Sequence, residues 1–367
     1  MSILVTGASG FLGGAVVERL LARGEPSLRC FVRPSSNVSR LRELQSEYPK
    51  ARLEFVVGNL TSARDMYRAL AGIKTVYHLA AKMRGAPATV FLNTVVASKR
   101  LLDASMETKP ERVVLVSSLS VYGMSGLPCG RPIDESAELE QHPEKRDVYS
   151  HAKLRQELLF HEYRARGGFD VVIMRPGSIY GIGGKNFPAR VGIEVKGWLL
   201  HFGRNNVLPL TYLDNCAEAI IFAGTKAVGG DIYNVIDDDL PTSAEYVNAY
   251  RSNVENAISI SVPFFVTMAV SSVVERYQVH WQPGVSALLT PYKSASLWKG
   301  HQFSNERLKS MGWLQIVPTR EAMQKTFDYL SHQKGNAGYS TLPLCRHPSS
   351  QGVGRLPAPG VAVERES

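Results

Sequence analysis

The sequence predicts an α/β fold: a doubly wound parallel sheet with a smaller C-terminal lobe. Three observations predict it. Short apolar runs alternate with amphipathic stretches through the first half of the chain, the rhythm of strands covered by helices on both faces. A glycine-rich loop separates the first apolar run from the first helical pattern. After Arg175 the alternation loosens, as expected where a second lobe begins.

Taken in order, residues 3–5 open as a buried strand almost at Met1, which leaves no room for a signal peptide. Phe11–Ala22 has the first helical periodicity, with Gly24 where a C-terminal cap is expected. Strand patterns follow at 28–32, 53–57, 75–79, 113–117 and 171–174. Helical patterns alternate with them at 64–70, 90–105 and Val148–Arg166. Beyond Arg175 a helix is expected near 215–224, a strand at Ile232–Val235 and a helix from Thr242 or Ser243 to about Arg251.

Residues 258–274 form an apolar run broken by Pro263, too short and interrupted for a membrane span. A helix packed over the core or a substrate pocket is expected there, with a surface helix dipping into lipid as the alternative. From about Gln333 the chain is polar, rich in Gly, Pro and Ser and without periodicity, and it reads as a disordered tail. The expected division is therefore 1–175 for a nucleotide-binding lobe, 176–332 for an interleaved substrate-binding lobe and 333–367 for the tail.

With 44% hydrophobic and 20% charged residues, the 367-residue chain has the composition of a soluble globular protein. Its formal net charge is +9, but the basic residues are scattered, so no nucleic-acid partner is expected. Affinity for an anionic ligand or a membrane surface stays open. Cys30, Cys129, Cys216 and Cys345 lie far apart, so neither a zinc site nor a disulfide framework is indicated and a cytoplasmic setting is the simplest.

Thr6-Gly7-Ala8-Ser9-Gly10-Phe11-Leu12-Gly13 follows a strand and opens a helix, the context a Rossmann-type dinucleotide fingerprint requires. Gly7 permits the sharp turn, Gly10 lets a pyrophosphate approach the backbone, and Gly13 lets the helix pack close. The helix N-terminus then faces the phosphates. The second strand ends in Cys30-Phe31-Val32-Arg33, with no acidic residue to bind adenosine ribose hydroxyls. A guanidinium there suits a 2′-phosphate, so NADP is expected ahead of NAD.

Tyr149 and Lys153 stand four residues apart, on one helix face. A fixed positive charge beside a phenol favours the phenolate, so such a pair can exchange a proton with an alcohol.

Together these segments resemble the extended branch of the short-chain dehydrogenase/reductase superfamily, over roughly Met1 to Leu330. The ordered matches are the glycine loop, Gly58-Asn59-Leu60, His78-Leu79-Ala80-Ala81, Asn93, Ser117-Ser118-Leu119-Ser120-Val121-Tyr122-Gly123, Tyr149/Lys153, Arg175-Pro176-Gly177-Ser178-Ile179-Tyr180-Gly181 and Tyr212-Leu213-Asp214-Asn215. The resemblance implies that Gly7, Ser9, Gly10, Phe11, Leu12 and Gly13 hold the pyrophosphate. Asn59, where the family usually has Asp, and Leu60 flank the adenine. Ala80 touches the ribose, while Asn93, Ser117, Pro176 and Ser178 belong to the nicotinamide and substrate side. It also implies Ser118, Tyr149 and Lys153 as the catalytic set: Ser118 and Tyr149 hydrogen-bond the substrate oxygen, and Lys153 bonds the nicotinamide ribose and lowers the Tyr149 pKa. No metal is needed.

Three departures narrow the expected reaction. Leu119 and Ser120 occupy the places where the branch's dehydratases carry an acidic pair. Leu208-Pro209 stands where its sugar-nucleotide enzymes often carry Arg-Asp, although Arg204 is near enough in sequence to substitute. The segment from Asp214 to Ala219 and the apolar stretch after Pro263 are closer to members like 3β-hydroxysteroid dehydrogenase, whose substrates are bulky and apolar. Phe264, Phe265, Met268, Val270 and Val274 would cover such a small-molecule substrate, or pack in the core. The expected function is thus an NADP-linked alcohol dehydrogenase or ketone reductase. The alternatives are a nucleotide-sugar epimerase and an NADP-binding regulatory module without turnover. The resemblance also suggests a homodimer.

Overall fold

A computed structural model describes residues 2–128, 130, 132–184, 188–195, 198–255, 258–281 and 289–336. The first half runs β1 (Ile3–Thr6), α1 (Phe11–Ala22), β2 (Ser27–Val32), α2 (Ser39–Glu47), β3 (Arg52–Val57), α3 (Ala63–Leu70), β4 (Thr75–His78), α4 (Pro87–Phe91), α5 (Ala97–Thr108) and β5 (Arg112–Val116). A two-residue strand β6 (Pro132–Ile133) precedes α6 (Val148–Arg166) and β7 (Asp170–Pro176). Then come β8 (Ser178–Tyr180), β9 (Gly192–Val195), β10 (Trp198–Phe202), β11 (Leu210–Tyr212), α7 (Leu213–Lys226), β12 (Ile232–Val235) and α8 (Ser243–Asn253). The chain continues through β13 (Ile258–Val262), α9 (Phe264–Trp281), α10 (Pro291–Trp298), β14 (Gln302–Phe303), α11 (Glu306–Ser310) and α12 (Thr319–Asn336).

Seven strands form a parallel sheet in the order β12-β7-β5-β4-β1-β2-β3. This is a Rossmann-type sheet, and its strand order reverses between β1 and β4. In such sheets the crevice outside the carboxyl ends at the reversal receives the ligand. The inner strands are apolar on both faces because both are covered. Val5, Val114 and Met174 pack with Val16 and Leu20 of α1 and Ile220 of α7. Leu4, Val113 and Leu115 pack on the other side with Leu101 and Leu102 of α5 and Phe160 of α6. Gly24 closes α1 at φ +81°, and the Gly24 and Glu25 amides bond back to the Leu21 and Leu20 carbonyls.

The helical pattern at 90–105 is interrupted by a π-helical turn, Leu92–Val96, between α4 and α5. Such turns concentrate at functional sites, and this one carries Asn93. Late in the chain β12 pairs with β7 of the main sheet, and α7 packs beside α1. A separate hydrophobic cluster forms where Tyr246 and Tyr250 of α8 meet Phe327 of α12.

Two expectations are corrected. Residues 258–274 are not one helix: Pro263 separates strand β13 from helix α9. Helix α9 buries Thr267 and Ser271, with Ser271 Oγ 2.7 Å from Ser294 Oγ of α10. Phe265 and Val270 are instead 74% and 47% exposed and do not pack in the core. No helix among the described residues is long and apolar enough to cross a membrane. Helix α12 also continues to Asn336, past the expected start of the tail. Residues 337–367, and with them most of the segment expected to be disordered, lie outside the described residues.

Candidate active site

The phosphate loop is shaped by close approach. A Cβ on Gly13 would lie 2.0 Å from the Gly7 carbonyl oxygen, and one on Gly7 would lie 2.9 Å from the Ala80 amide. Gly7 also has φ +75°, which disfavours any other residue. The Gly10 amide closes the turn on the Gly7 carbonyl at 2.9 Å. Helix α1 then starts with no side-chain cap and no acidic residue in its first turn. Its first-turn amides cannot be satisfied within the helix. These are features a dinucleotide pyrophosphate fits: a glycine cradle under an open helix N-terminus. Ser9, Gly10 and Phe11 are exposed there, and Leu12 is half-buried.

Arg33 follows β2 on an exposed turn closed by Ser36 N–H to the Arg33 carbonyl, 2.9 Å. No ion pair holds its side chain among the described residues. Asn59 follows β3 and is exposed; its Oδ1 already accepts the Thr61 amide at 3.0 Å. Leu60 packs partly into the core. Asn93 donates its side-chain amide to the Thr89 carbonyl at 2.8 Å, within its own helix.

Helix α6 positions the catalytic candidates. Asp147 caps it by accepting the Ser150 amide at 3.0 Å, which places Tyr149 in the first turn and Lys153 one turn on. Ser118 follows β5, and its Oγ accepts the Ser120 amide at 3.1 Å. That leaves its proton free to donate on the side where the Tyr149 hydroxyl lies close by. Ser118 and Tyr149 thus lie side by side. The Tyr149 pKa does not fall, however. Burial of the phenol pushes it up to about 12, and the nearby Ser118 hydroxyl only partly opposes this.

The buried amine of Lys153 explains the difference. It donates to the Val116 carbonyl at 2.7 Å and to Gln156 Oε1 at 2.9 Å. Burial pulls its pKa down to about 7, so it is a weak cation in neutral solution. Gln156 Nε2 in turn donates to Ser98 Oγ at 2.7 Å, and Ser98 donates to the Thr94 carbonyl in the π turn at 2.6 Å. With its proton so used, Ser98 accepts from His78 Nε2–H at 2.8 Å, which leaves His78 Nδ1 to accept from Thr6 Oγ1 at 2.7 Å. His78 is neutral, its pKa lowered to about 3 by burial and the Lys153 charge. A continuous polar chain therefore runs from Lys153 to Thr6, the residue before the phosphate loop. Gln156, Ser98 and Thr94 escaped the sequence reading. The one signal was that Gln156 shares a helix face with Lys153.

Ser117 is turned away from this crevice. Its hydroxyl donates to Glu157, which also receives Arg175. Burial would raise the Glu157 pKa, but His161, Arg175 and Ser117 hold it down to about 2. The buried pair ties α6 to β7, and Arg175 Nη1 reaches Tyr122 Oη at 2.7 Å. Pro176 ends β7. Ser178 follows through Gly177, whose Cβ would lie 2.3 Å from the Pro209 carbonyl oxygen. The site thus joins an open helix N-terminus to a serine–tyrosine pair and a buried lysine, an arrangement for proton exchange beside a bound dinucleotide. Among the described residues no cluster of His, Cys, Asp or Glu could hold a metal ion.

Comparison with known proteins agrees with this geometry. The model of the NAD dependent epimerase/dehydratase family matches residues 3–235. The human sterol-4-alpha-carboxylate 3-dehydrogenase, decarboxylating, is 24% identical over 365 residues, covering 89% of this chain and 88% of its own. The uncharacterized UDP-glucose epimerase YtcB of Bacillus subtilis is 31% identical over 190 residues, 49% of this chain and 57% of its own. The crystal structure of UDP-glucuronic acid 4-epimerase from Bacillus cereus in complex with NAD superposes with a TM-score of 0.67 at 18% identity, covering 91% of this chain and 99% of that one.

Proposed function

The chain belongs to the NAD dependent epimerase/dehydratase family, and on that premise we propose that it interconverts a secondary alcohol and a ketone on a bulky, apolar substrate, with NADP as carrier. The observation that carries the reading is that Ser118 lies beside Tyr149, one helical turn before the buried Lys153. A bound nicotinamide dinucleotide supplies or accepts the hydride.

The chain's own residues do the rest. The loop from Gly7 to Gly13 holds the pyrophosphate, Ala80 lies against that loop, and Arg33 meets the 2′-phosphate. In its protonated form Lys153 has one N–H left beyond Val116 and Gln156, and offers it to the nicotinamide ribose. Ser118 donates to the substrate oxygen, and Tyr149 passes its proton to that oxygen. A phenol with its pKa pushed up to about 12 is protonated at neutral pH, the form that ketone reduction needs.

The sterol dehydrogenase relative and the apolar, buried Leu119 and Leu208 support an apolar substrate. Cys30 and Cys216 are buried free thiols, which supports a cytoplasmic setting. The second reading, a nucleotide-sugar epimerase, is favoured by the likeness to YtcB. Purified protein with NADPH and a panel of apolar ketones tests the choice, run beside UDP- and GDP-sugars with NAD. Net NADPH consumption on a ketone supports the proposal. Activity on a sugar nucleotide alone, with no net change in the dinucleotide, sinks it.

A further inference from the structure

Arg190, in the second lobe, carries a charge that the described residues do not balance. Its Nη1 donates to the Leu297 carbonyl at 3.2 Å, its Nη2 meets Met124 Sδ at 3.7 Å, and its guanidinium lies 5.5 Å from the centre of the Phe303 ring. None of these partners is anionic, and among the described residues no carboxylate pairs with it. Its neighbour Arg146 is closed by Glu140 at 3.0 Å. Arg190 is half-buried, and burial and then the charge of Arg146 pull its pKa down to about 10.

Two more basic side chains share the place. His301 is 3% exposed, and neither ring nitrogen has a hydrogen-bond partner of normal geometry. Burial pushes its pKa down, the Met124 carbonyl opposes this, and the charges of Arg190 and Lys299 add to the fall. Lys299 Nζ donates to the Ser125 carbonyl at 3.3 Å and has no carboxylate partner among the described residues. All three converge on Met124 and Ser125, a few residues past Ser118 along one short segment.

A desolvated cation without a counter-ion destabilises the fold, and an apolar side chain of similar volume would fill the space without that cost. Such groups persist where a ligand completes them. We propose that Arg190, with Lys299 and His301, forms an anion-binding subsite of the substrate lobe that takes a carboxylate or phosphate group of the substrate. The proposal rests on the reading that a substrate sits beside Ser118 and Tyr149. It adds an anionic group to a substrate otherwise apolar.

Melting temperature and binding titration test this, at constant ionic strength with saturating NADP so that the phosphate loop is filled. The probes are hexanoate, hexanol as its neutral counterpart, and inorganic pyrophosphate. The wild-type protein should be stabilised by hexanoate or by pyrophosphate and not by hexanol. A hexanoate response marks a carboxylate as the source, and a pyrophosphate response marks a phosphate. Arg190→Met should melt higher than wild type without anion and bind the anion at least about tenfold more weakly, while Arg190→Lys keeps part of the response. A lower melting temperature in Arg190→Met with an unchanged anion response, or no response to either anion in wild type, overturns the subsite. None of these readouts needs turnover. Anion binding without ketone reduction would therefore sink the proposed activity and leave the subsite standing.

Discussion

The Lys153 amine lies 2.9 Å from Oε1 of Gln156, one turn along the same helix, and this bond starts the polar chain that ends at Thr6. It gives Lys153 a fixed direction in a place where burial works against its charge. Accepting a bond from the ammonium favours the protonated form. Gln156→Leu should therefore lower the Lys153 pKa further, shift the pH–rate profile to lower pH and reduce turnover about tenfold. Gln156→Glu should shift the profile the other way. If both variants keep the wild-type profile, Gln156 does not position the lysine.

The buried amine also makes stability depend on pH. The Lys153 pKa is about 7 in the folded protein, against about 10.4 in an unfolded chain. Between those values the unfolded chain holds a proton that the folded one lacks, so stability rises with pH across the window. Below about pH 7 the full cost of the buried ammonium is present. Lys153→Met lacks this dependence. Its melting temperature should exceed that of wild type most at about pH 6.5, and the gap should narrow toward about pH 9.5. A gap that stays constant across this range would contradict the assignment.

Tyr149→Phe keeps the ring and removes the proton. Turnover should fall by about 10²–10⁴-fold, while dinucleotide affinity, measured by fluorescence titration, stays the same. A variant with near-normal turnover would remove Tyr149 from the reaction.

Arg33→Ser should weaken NADP binding about tenfold, the loss expected for one charge-assisted contact, and leave NAD binding unchanged. Equal effects on the two dinucleotides would show that Arg33 does not read the 2′-phosphate.

In the phosphate loop, Gly13→Ala would force a Cβ to within 2.0 Å of the Gly7 carbonyl oxygen. It should cost about 1–3 kcal/mol of stability and abolish dinucleotide binding. Gly14→Ala, whose Cβ would meet nothing nearer than 3.9 Å, is the control and should bind normally. Dinucleotide titration with a melting curve for each variant separates the two.

Much of this was legible in the sequence where one local signal sufficed. Phe11–Ala22 and Val148–Arg166 match the observed helices: the glycine loop and Gly24 bound the first, and Asp147 and Gly167 the second. Ser118 and Tyr149 lie side by side because each is set by the end of a regular element. Other features depend on neighbours far along the chain. The three-stranded sheet β13-β10-β9 pairs Trp198 with Ile258, a contact with no sequence signature. Helix α9 reads as apolar yet packs through Thr267 and Ser271, because its partner α10 offers small polar residues. The Tyr149 pKa could not be read from spacing either. Two residues four apart predict proximity, but burial and competing acceptors decide the charge.

The central claim is hydride exchange at a carbon whose oxygen exchanges a proton with Tyr149. Deuteride transfer from NADPH labelled at the nicotinamide C4 to an apolar ketone, read by mass spectrometry of the alcohol, tests it most directly. The account predicts one deuterium on the carbinol carbon with wild-type protein and almost no labelled product with Tyr149→Phe. Unlabelled product, or equal labelling in the two proteins, would contradict it.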